Sequence, residues 1–239
     1  MRSQSELATL ERDFLTIGVD ESPPLPFQIG KPDSADFTGF EVDLIKAITD
    51  RLALGVRYKS ALWSEIIRAL TQGRLDMICT AATITEDRRR IVDFSEPYFD
   101  TELAVMVRQE SITRTLADLD GKVIGVRTST TAEEFSRREI VGASFRTYHL
   151  NSEAYIALQT RQVDAVVDDS HILKSFERII PEVKMAMKIA GTNCHYGMVF
   201  AKGADCLRKL VNQALGQIRA DGTYARLYTR WFVSHGWKV

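Results

Sequence analysis

Residues 75–90 read LDMICTAATITEDRRR. The first eight residues, 75–82, are apolar almost throughout and predict a strand. A continuous apolar strand flanked by helices implies a sheet covered on both faces, which is the parallel α/β arrangement. The polar turn that follows runs Thr83-Ile84-Thr85-Glu86-Asp87-Arg88. Hydroxyls at a strand end, with Arg within one helical turn, suit a carboxylate, because a guanidinium offers a planar fork of charged donors. The start of the helix behind it adds unpaired N–H groups. Arg88-Arg89-Arg90 reads equally well as a solvated charge run.

Upstream of this stretch the pattern is regular. Residues 14–19 (FLTIGV) predict a strand, followed by a Pro-rich loop over 23–26. Residues 41–54 predict a helix, with Leu44, Ile45, Ile48 and Leu52 at three- to four-residue spacing. Residues 56–59 are a second short strand. Ser64 is placed to cap a helix carrying Ile66, Ile67 and Leu70, which Gly73 ends.

Downstream the pattern restarts. After an extended segment over 102–108, residues 122–127 (KVIGVR) predict a strand and Ser129-Thr130-Thr131 opens a helix. A helix over 153–160, a strand over 163–167 and a helix over 170–179 follow. An extended stretch over 196–201 is expected to run antiparallel to 102–108, and helices over 205–220 and 223–235 finish the chain. A β/α unit therefore occurs twice, in halves of similar size. Two such lobes joined by two extended crossovers describe a clamshell, and ligand clefts favour domain interfaces and the carboxyl ends of parallel strands.

Composition narrows the function. The chain has 239 residues, 45% hydrophobic and 26% charged, with a formal net charge of −1. That balance argues against a nucleic-acid partner, which needs a basic face, and against a polybasic membrane anchor. Cys79, Cys194 and Cys206 show no metal spacing and no CxxC pair. Cys79 reads as a buried small hydrophobe; Cys194 and Cys206 leave one disulfide open. The N-terminal residues have no apolar core of a secretory signal, so the protein is expected to be cytosolic, or to have had a signal removed, or to be a domain of a longer protein.

Three strand ends carry candidate chemistry. Besides the turn to Arg88, the Ser129-Thr130-Thr131 turn reads as an anion cradle or as plain N-capping. Asp168-Asp169 closes a second apolar strand, where a carboxylate either accepts an ammonium group or caps the next helix.

These segments resemble a known family. The stretch GFEVDLIKAI at Gly39 looks like the GFDVDL helix of the bacterial extracellular solute-binding proteins of family 3, the polar amino-acid receptors of ABC transporters. ITEDRRRIVDFSEPYF from Ile84 is similar to the family's ITxxR…VDFSxPY signature. VIGVRTSTTAEEF, VDAVVDDS, YGMVFAKG and ADGTYARLYTRWF resemble its second-lobe turn, its crossing elements and its terminal helix. The resemblance covers the chain from about Phe14 to Trp231.

The resemblance implies a two-lobe, periplasmic-binding-protein-like clamshell of α/β class. It has two hinge crossovers and a cleft between the lobes. Lobe 1 comprises residues 1–104 plus 199–239, and lobe 2 residues 105–198. It implies a non-catalytic, cofactor-free and metal-free receptor that closes on a free polar amino acid. Such a receptor delivers the amino acid to a membrane ABC permease, in the periplasm or outside the cell, as a monomer. Arg88 would hold the ligand carboxylate, completed by Thr83, by backbone near Ala81, and by Thr130 or Thr131. Asp169 would take the ammonium group, Trp63 would pack on the ligand, and Asp20 and Arg127 would reach its side chain. Arg127 supplies donors only and ionised Asp20 acceptors only. A neutral amide satisfies both, which ranks glutamine-like side chains first, basic ones second and acidic ones third. Departures from the pattern fall at Pro23, where an aromatic is usual, and at Ala81 and Ser129, where glycine is common. Two other readings share this fold. One is the sensing domain of a membrane receptor. The other is a dehydratase, which would place a general acid three residues beyond Asp169, where Ile172 stands between His171 and Leu173.

Overall fold

The computed structural model describes residues 9–22, 24–32 and 34–234. The chain forms two compact units, one from residues 1–99 and 195–239 and the other from residues 100–194. The crossings fall a few residues before 104/105 and 198/199. The reason is pairing: the second sheet already claims Leu103, opposite Asp169, and the first unit already claims His195 and Tyr196, through the Ile84 N–H and the bridge to Thr83.

In the first unit β1 (Phe14–Asp20), α1 (Phe40–Leu52), β2 (Gly55–Ala61), α2 (Trp63–Thr71), β3 (Met77–Ile78), α3 (Glu86–Ile91), β4 (Val92–Phe94) and β5 (Phe99–Thr101) follow in order. The second unit contains β6 (Leu103–Arg108), a 3-10 turn (Leu116–Leu119), β7 (Val123–Arg127), α4 (Thr131–Glu139), β8 (Ser144–Tyr148), α5 (Asn151–Gln159), β9 (Ala165–Asp169), α6 (Ser170–Ile179) and β10 (Val183–Lys188). The chain returns through β11 (Cys194–Tyr196) and β12 (Val199–Ala201) to α7 (Asp205–Ala220), α8 (Thr223–Tyr228) and a π-helical turn (Thr229–Val233). Strands β5 and β11, which carry the two crossings, pair as a two-stranded ribbon.

The first sheet has the order β2-β1-β3-β12-β4. Strands β1, β2 and β3 are parallel, and β12 runs antiparallel to β3 and β4. Leu15, Ile17 and Val19 of β1 are buried, and so is Thr16 between them, as expected of a strand covered on both faces. Helix α1 buries Leu44, Ile45 and Ile48 along one stripe. The second sheet has the order β10-β6-β9-β7-β8. Its edges β8 and β10 have no unbroken apolar run, which is why hydrophobic pattern did not reveal them. Among the described residues no helix is long and apolar enough to cross a membrane.

Several local expectations change. Strand β3 is two residues long, not eight, because side chains take the backbone groups of Cys79 and Ala81. Helix α2 begins at Trp63 with Leu62 at its N-cap, so Ser64 lies inside the first turn and does not cap it. Residues 196–201 do not pair with 102–108: β6 pairs with β9 and β10. No disulfide links the three cysteines, and Cys79 is buried. Pro23 and His235 lie outside the described residues.

Gly39 ends the Pro-rich loop with φ 141, and a Cβ there would stand 2.2 Å from the Phe27 carbonyl oxygen. Gly73 also has a positive φ, 70, but a Cβ there meets nothing within 4 Å. Gly39→Ala is therefore expected to destabilise by at least about 2 kcal/mol, and Gly73→Ala by about 1 kcal/mol. At roughly 2–4 °C per kcal/mol, thermal unfolding should show a drop of at least about 4 °C for the first. The second should shift by only half of that or less.

Candidate functional site

In the first unit, β3 ends in the turn over residues 79–85 that leads into α3. Thr85 occupies the N-cap of α3, and its side chain accepts from the Arg88 N–H at 3.2 Å. That cap takes one of the N–H groups of the helix start which was expected to help hold an anion. The Arg88 guanidinium lies 4.8 Å from the centroid of the Trp63 ring, and its Nη1 donates to the Thr83 carbonyl at 2.8 Å. Cation–π contact and one donated hydrogen bond thus fix the plane of a group with five donors. Trp63 is 9% exposed and belongs to the core cluster with Ile66, Ile78 and Phe94, so it serves the core and the guanidinium together. Thr83 is buried, bridges to Tyr196 and is followed by Ile84, whose N–H donates to the His195 carbonyl at 2.8 Å.

Asp20 ends β1, buried. Its Oδ1 accepts from the Ser22 N–H at 3.0 Å, and its own N–H donates to Thr80 Oγ1 at 3.2 Å. Ala81 adopts a left-handed backbone, φ 49, a conformation that glycine holds without steric cost. Its N–H is not aimed outward: it donates to Glu41 Oε1 at 2.6 Å.

Glu41 was not singled out from the sequence. It sits at position 41 of the stripe 41, 44, 45, 48, so the helical period itself carries it inside. Its Oε1 also accepts from the Tyr98 hydroxyl, and its Oε2 from Gln28 Nε2 at 2.7 Å. Burial pushes its carboxyl up to about 7, against the opposing pull of these three donors and with Asp20 adding to the rise. Gln28 Nε2 donates in addition to the Cys79 carbonyl at 2.7 Å.

In the second unit, Arg127 ends β7, buried, and its Nε donates to the His149 carbonyl at 2.9 Å. The turn beyond it caps α4: Thr130 Oγ1 accepts from the Glu133 N–H at 3.2 Å and donates to the Arg127 carbonyl at 2.7 Å. Glu133 returns a carboxylate oxygen to the Ser129 N–H at 2.9 Å. Thr131 is the first residue of α4, half-buried. Asp169 ends β9 at the N-cap of α6, yet its side chain makes no capping hydrogen bond. Asp168 was grouped with it in the sequence but given no role. The structure places it at the centre of a buried cluster, where Oδ1 accepts from the Asp169 N–H and Oδ2 from the Tyr155 hydroxyl, each at 2.8 Å. Burial and the neighbouring Asp168 hold the Tyr155 hydroxyl firmly protonated.

The arrangement is one of placed opposite charges at the carboxyl ends of strands. Among the described residues no group of three His, Cys, Asp or Glu could hold a metal ion. Residues 15–234 match the bacterial extracellular solute-binding proteins, family 3, and the chain belongs to that family. It is similar to the L-cystine-binding protein TcyJ of Escherichia coli (strain K12), 29% identical over 93% of this chain and 84% of the relative. It is similar also to the ABC transporter glutamine-binding protein GlnH of Bacillus subtilis (strain 168), 30% identical over 94% of this chain and 83% of the relative. Among solved structures, an ancestral arginine-binding protein bound to arginine superposes with a TM-score of 0.86 at 32% identity, covering 92% of this chain and 99% of that one.

The raised Glu41 carboxyl has a consequence for stability. Between about pH 4.5 and 7 the folded chain keeps a proton that the unfolded chain has released. Folding stability therefore falls as pH rises through that window, by about 3 kcal/mol in total for this group. Glu41→Gln is expected to remove that part of the slope when urea unfolding is followed from pH 5 to 8. An unchanged slope in the variant would place the titration elsewhere.

Proposed function

We propose that the chain is a non-catalytic receptor for one free polar amino acid, working outside the cytoplasm with a membrane ABC permease as its partner. The observation that carries the reading is a pair of charges, one in each unit. Arg88 is pinned by Trp63 and the Thr83 carbonyl, and Asp169 stands at an N-cap without capping. Arg88 receives the ligand carboxylate and Asp169 its ammonium group. Of the two threonines, Thr131 is the better second contact for the carboxylate, because the Thr130 hydroxyl proton already goes to the Arg127 carbonyl. The Ala81 N–H is taken by Glu41, so Ala81 gives the carboxylate no donor, and its carbonyl can serve only to accept from the ammonium group.

The ligands for which these relatives are named, cystine, glutamine and arginine, are all polar amino acids, which supports this class of ligand. Among them a glutamine-like side chain remains the first choice, with Asp20 and Arg127 as its acceptor and donor. Catalysis has little support in the residues: Ile172, three residues beyond Asp169, is apolar and buried and has no proton to give.

A thermal-shift screen against free amino acids tests the reading. A ligand at 100 times its Kd stabilises the folded state by about 2.7 kcal/mol, so at least one polar amino acid should raise the midpoint by several degrees. Arg88→Ala is expected to weaken that ligand by about 30-fold to several-thousand-fold, the 2–5 kcal/mol of a severed buried charge pair. Asp169→Asn should cost a similar factor. Calorimetry showing wild-type affinity in a folded Arg88→Ala chain would remove the carboxylate site from this position.

A further inference from the structure

We propose that Glu41 is a positioning residue for ligand binding: its ionised carboxylate fixes the turn over residues 79–83 in the shape that presents Thr83 and Arg88. The inference rests on the receptor reading above and names what holds the first-unit half of that site.

The turn is strained and needs a holder. Ala81 has φ 49, a region costly to any residue with a Cβ. Glu41 Oε1 binds its N–H, and Gln28, itself bound to Glu41 Oε2, binds the Cys79 carbonyl two residues earlier. One carboxylate and one amide therefore clamp both ends of the Cys79-Thr80-Ala81 segment. The segment runs directly into Thr83, whose carbonyl orients the Arg88 guanidinium. Position is passed from Glu41 to Ala81 by a hydrogen bond, along the backbone to Thr83, and by a second hydrogen bond to Arg88, all within the first unit.

The chemistry of the three partners favours an ionised acceptor. A backbone N–H, a tyrosine hydroxyl and an amide NH₂ all donate to Glu41; a protonated carboxyl keeps acceptor lone pairs but must set its own O–H among these donors. A glutamine at this position would set its own NH₂ against one of these donors. Rotating Gln28 to receive it would bring the Gln28 carbonyl oxygen against the Cys79 carbonyl. Protonating Glu41 also weakens the hold on Ala81, since a charge-assisted hydrogen bond is roughly twice as strong as a neutral one.

Glu41 is the group here that changes charge near neutral pH. Facing it, Asp20 on β1 is a carboxylate whose charge opposes that of Glu41. Tyr98, Cys79 and, on β2, Tyr58 are pushed up by burial and stay protonated. Asp43, on the same helix, acts with Glu41 on Tyr58. A buried carboxylate that lowers folding stability above neutral pH is out of place unless the charge serves something other than the fold.

The test is titration calorimetry at pH 6, 7 and 8 on the full chain, wild type and Glu41→Gln. Each of the twenty amino acids and cystine serves as probe, with Arg88→Ala as the site control. Wild-type affinity is expected to weaken about tenfold from pH 8 to pH 6. Glu41→Gln, still unfolding cooperatively, is expected to bind at least tenfold more weakly than wild type at pH 8 and to lose that dependence on pH. A residue that merely stabilised the fold would leave the pH profile of Kd unchanged. Wild-type affinity and slope in Glu41→Gln, with binding lost in Arg88→Ala, would overturn the positioning role and leave the receptor reading standing. Should Glu41→Gln not fold, a wild-type Kd that is flat from pH 6 to 8 overturns it by itself. If no probe binds the wild type, the receptor reading falls and the inference with it.

Discussion

A carboxylate carried into a protein interior must be met by donors, because an ionised group without them costs far more than a fold can spare. In the first unit that requirement falls on Glu41 and organises its surroundings. Helix α1 begins close against the loop before it, with the Glu41 N–H on the Phe27 carbonyl at 2.9 Å. Only a residue without a Cβ can stand at position 39 for that approach. Gln28 then comes within reach of the carboxylate, Tyr98 closes over it from the far end of β4, and the chain beyond β3 leaves the sheet after two residues to bring Ala81 in. The loop, the helix start and the binding turn are in this sense one construction around one buried charge.

The second unit meets the same requirement differently. Asp168 is buried beside Asp169, and its two oxygens are answered by the Tyr155 hydroxyl and the Asp169 N–H. One of two adjacent carboxylates thereby secures the backbone that carries the other. Arg127, whose charge favours ionisation of the Tyr155 hydroxyl where the two aspartates oppose it, completes a cluster whose charges of both signs lie close together. Asp169 is left in a position fixed by its neighbours, not by a helix cap.

Much of this was legible in the sequence, and the reasons for the rest are physical. Apolar period and run length gave β1, α1, β7, α6 and α7, because each buries a stripe or both faces. The edge strands β8 and β10 were missed because an exposed edge needs no continuous apolar run. The eight-residue strand expected over 75–82 shrank to two because the backbone of Cys79 and Ala81 is bound by side chains 51 and 40 residues earlier, which no local pattern encodes. Thr85, Thr130 and Asp169 show why capping and binding are hard to tell apart in a sequence: the first two cap and the third occupies a cap position without doing so. Glu41 could have been found by placing it on the helical stripe. Asp168 could not, since adjacent residues on a strand point to opposite faces and only the fold shows that both are buried.

The order of the first sheet has a bearing on how the protein is made. Among the described residues, strand β4 is joined to the rest of its sheet only through β12, which is encoded about a hundred residues later, beyond the whole of the second unit. As the chain leaves the ribosome, residues 100–194 are continuous and can fold as soon as they emerge, whereas β4 must wait, unpaired, for β12. Domains that fold as units do so in the order in which their chain becomes complete, and distant pairings are the slow ones. The unit that begins the sequence is therefore the one that finishes last, and during synthesis its exposed sheet edge is the part of the molecule most in need of a chaperone.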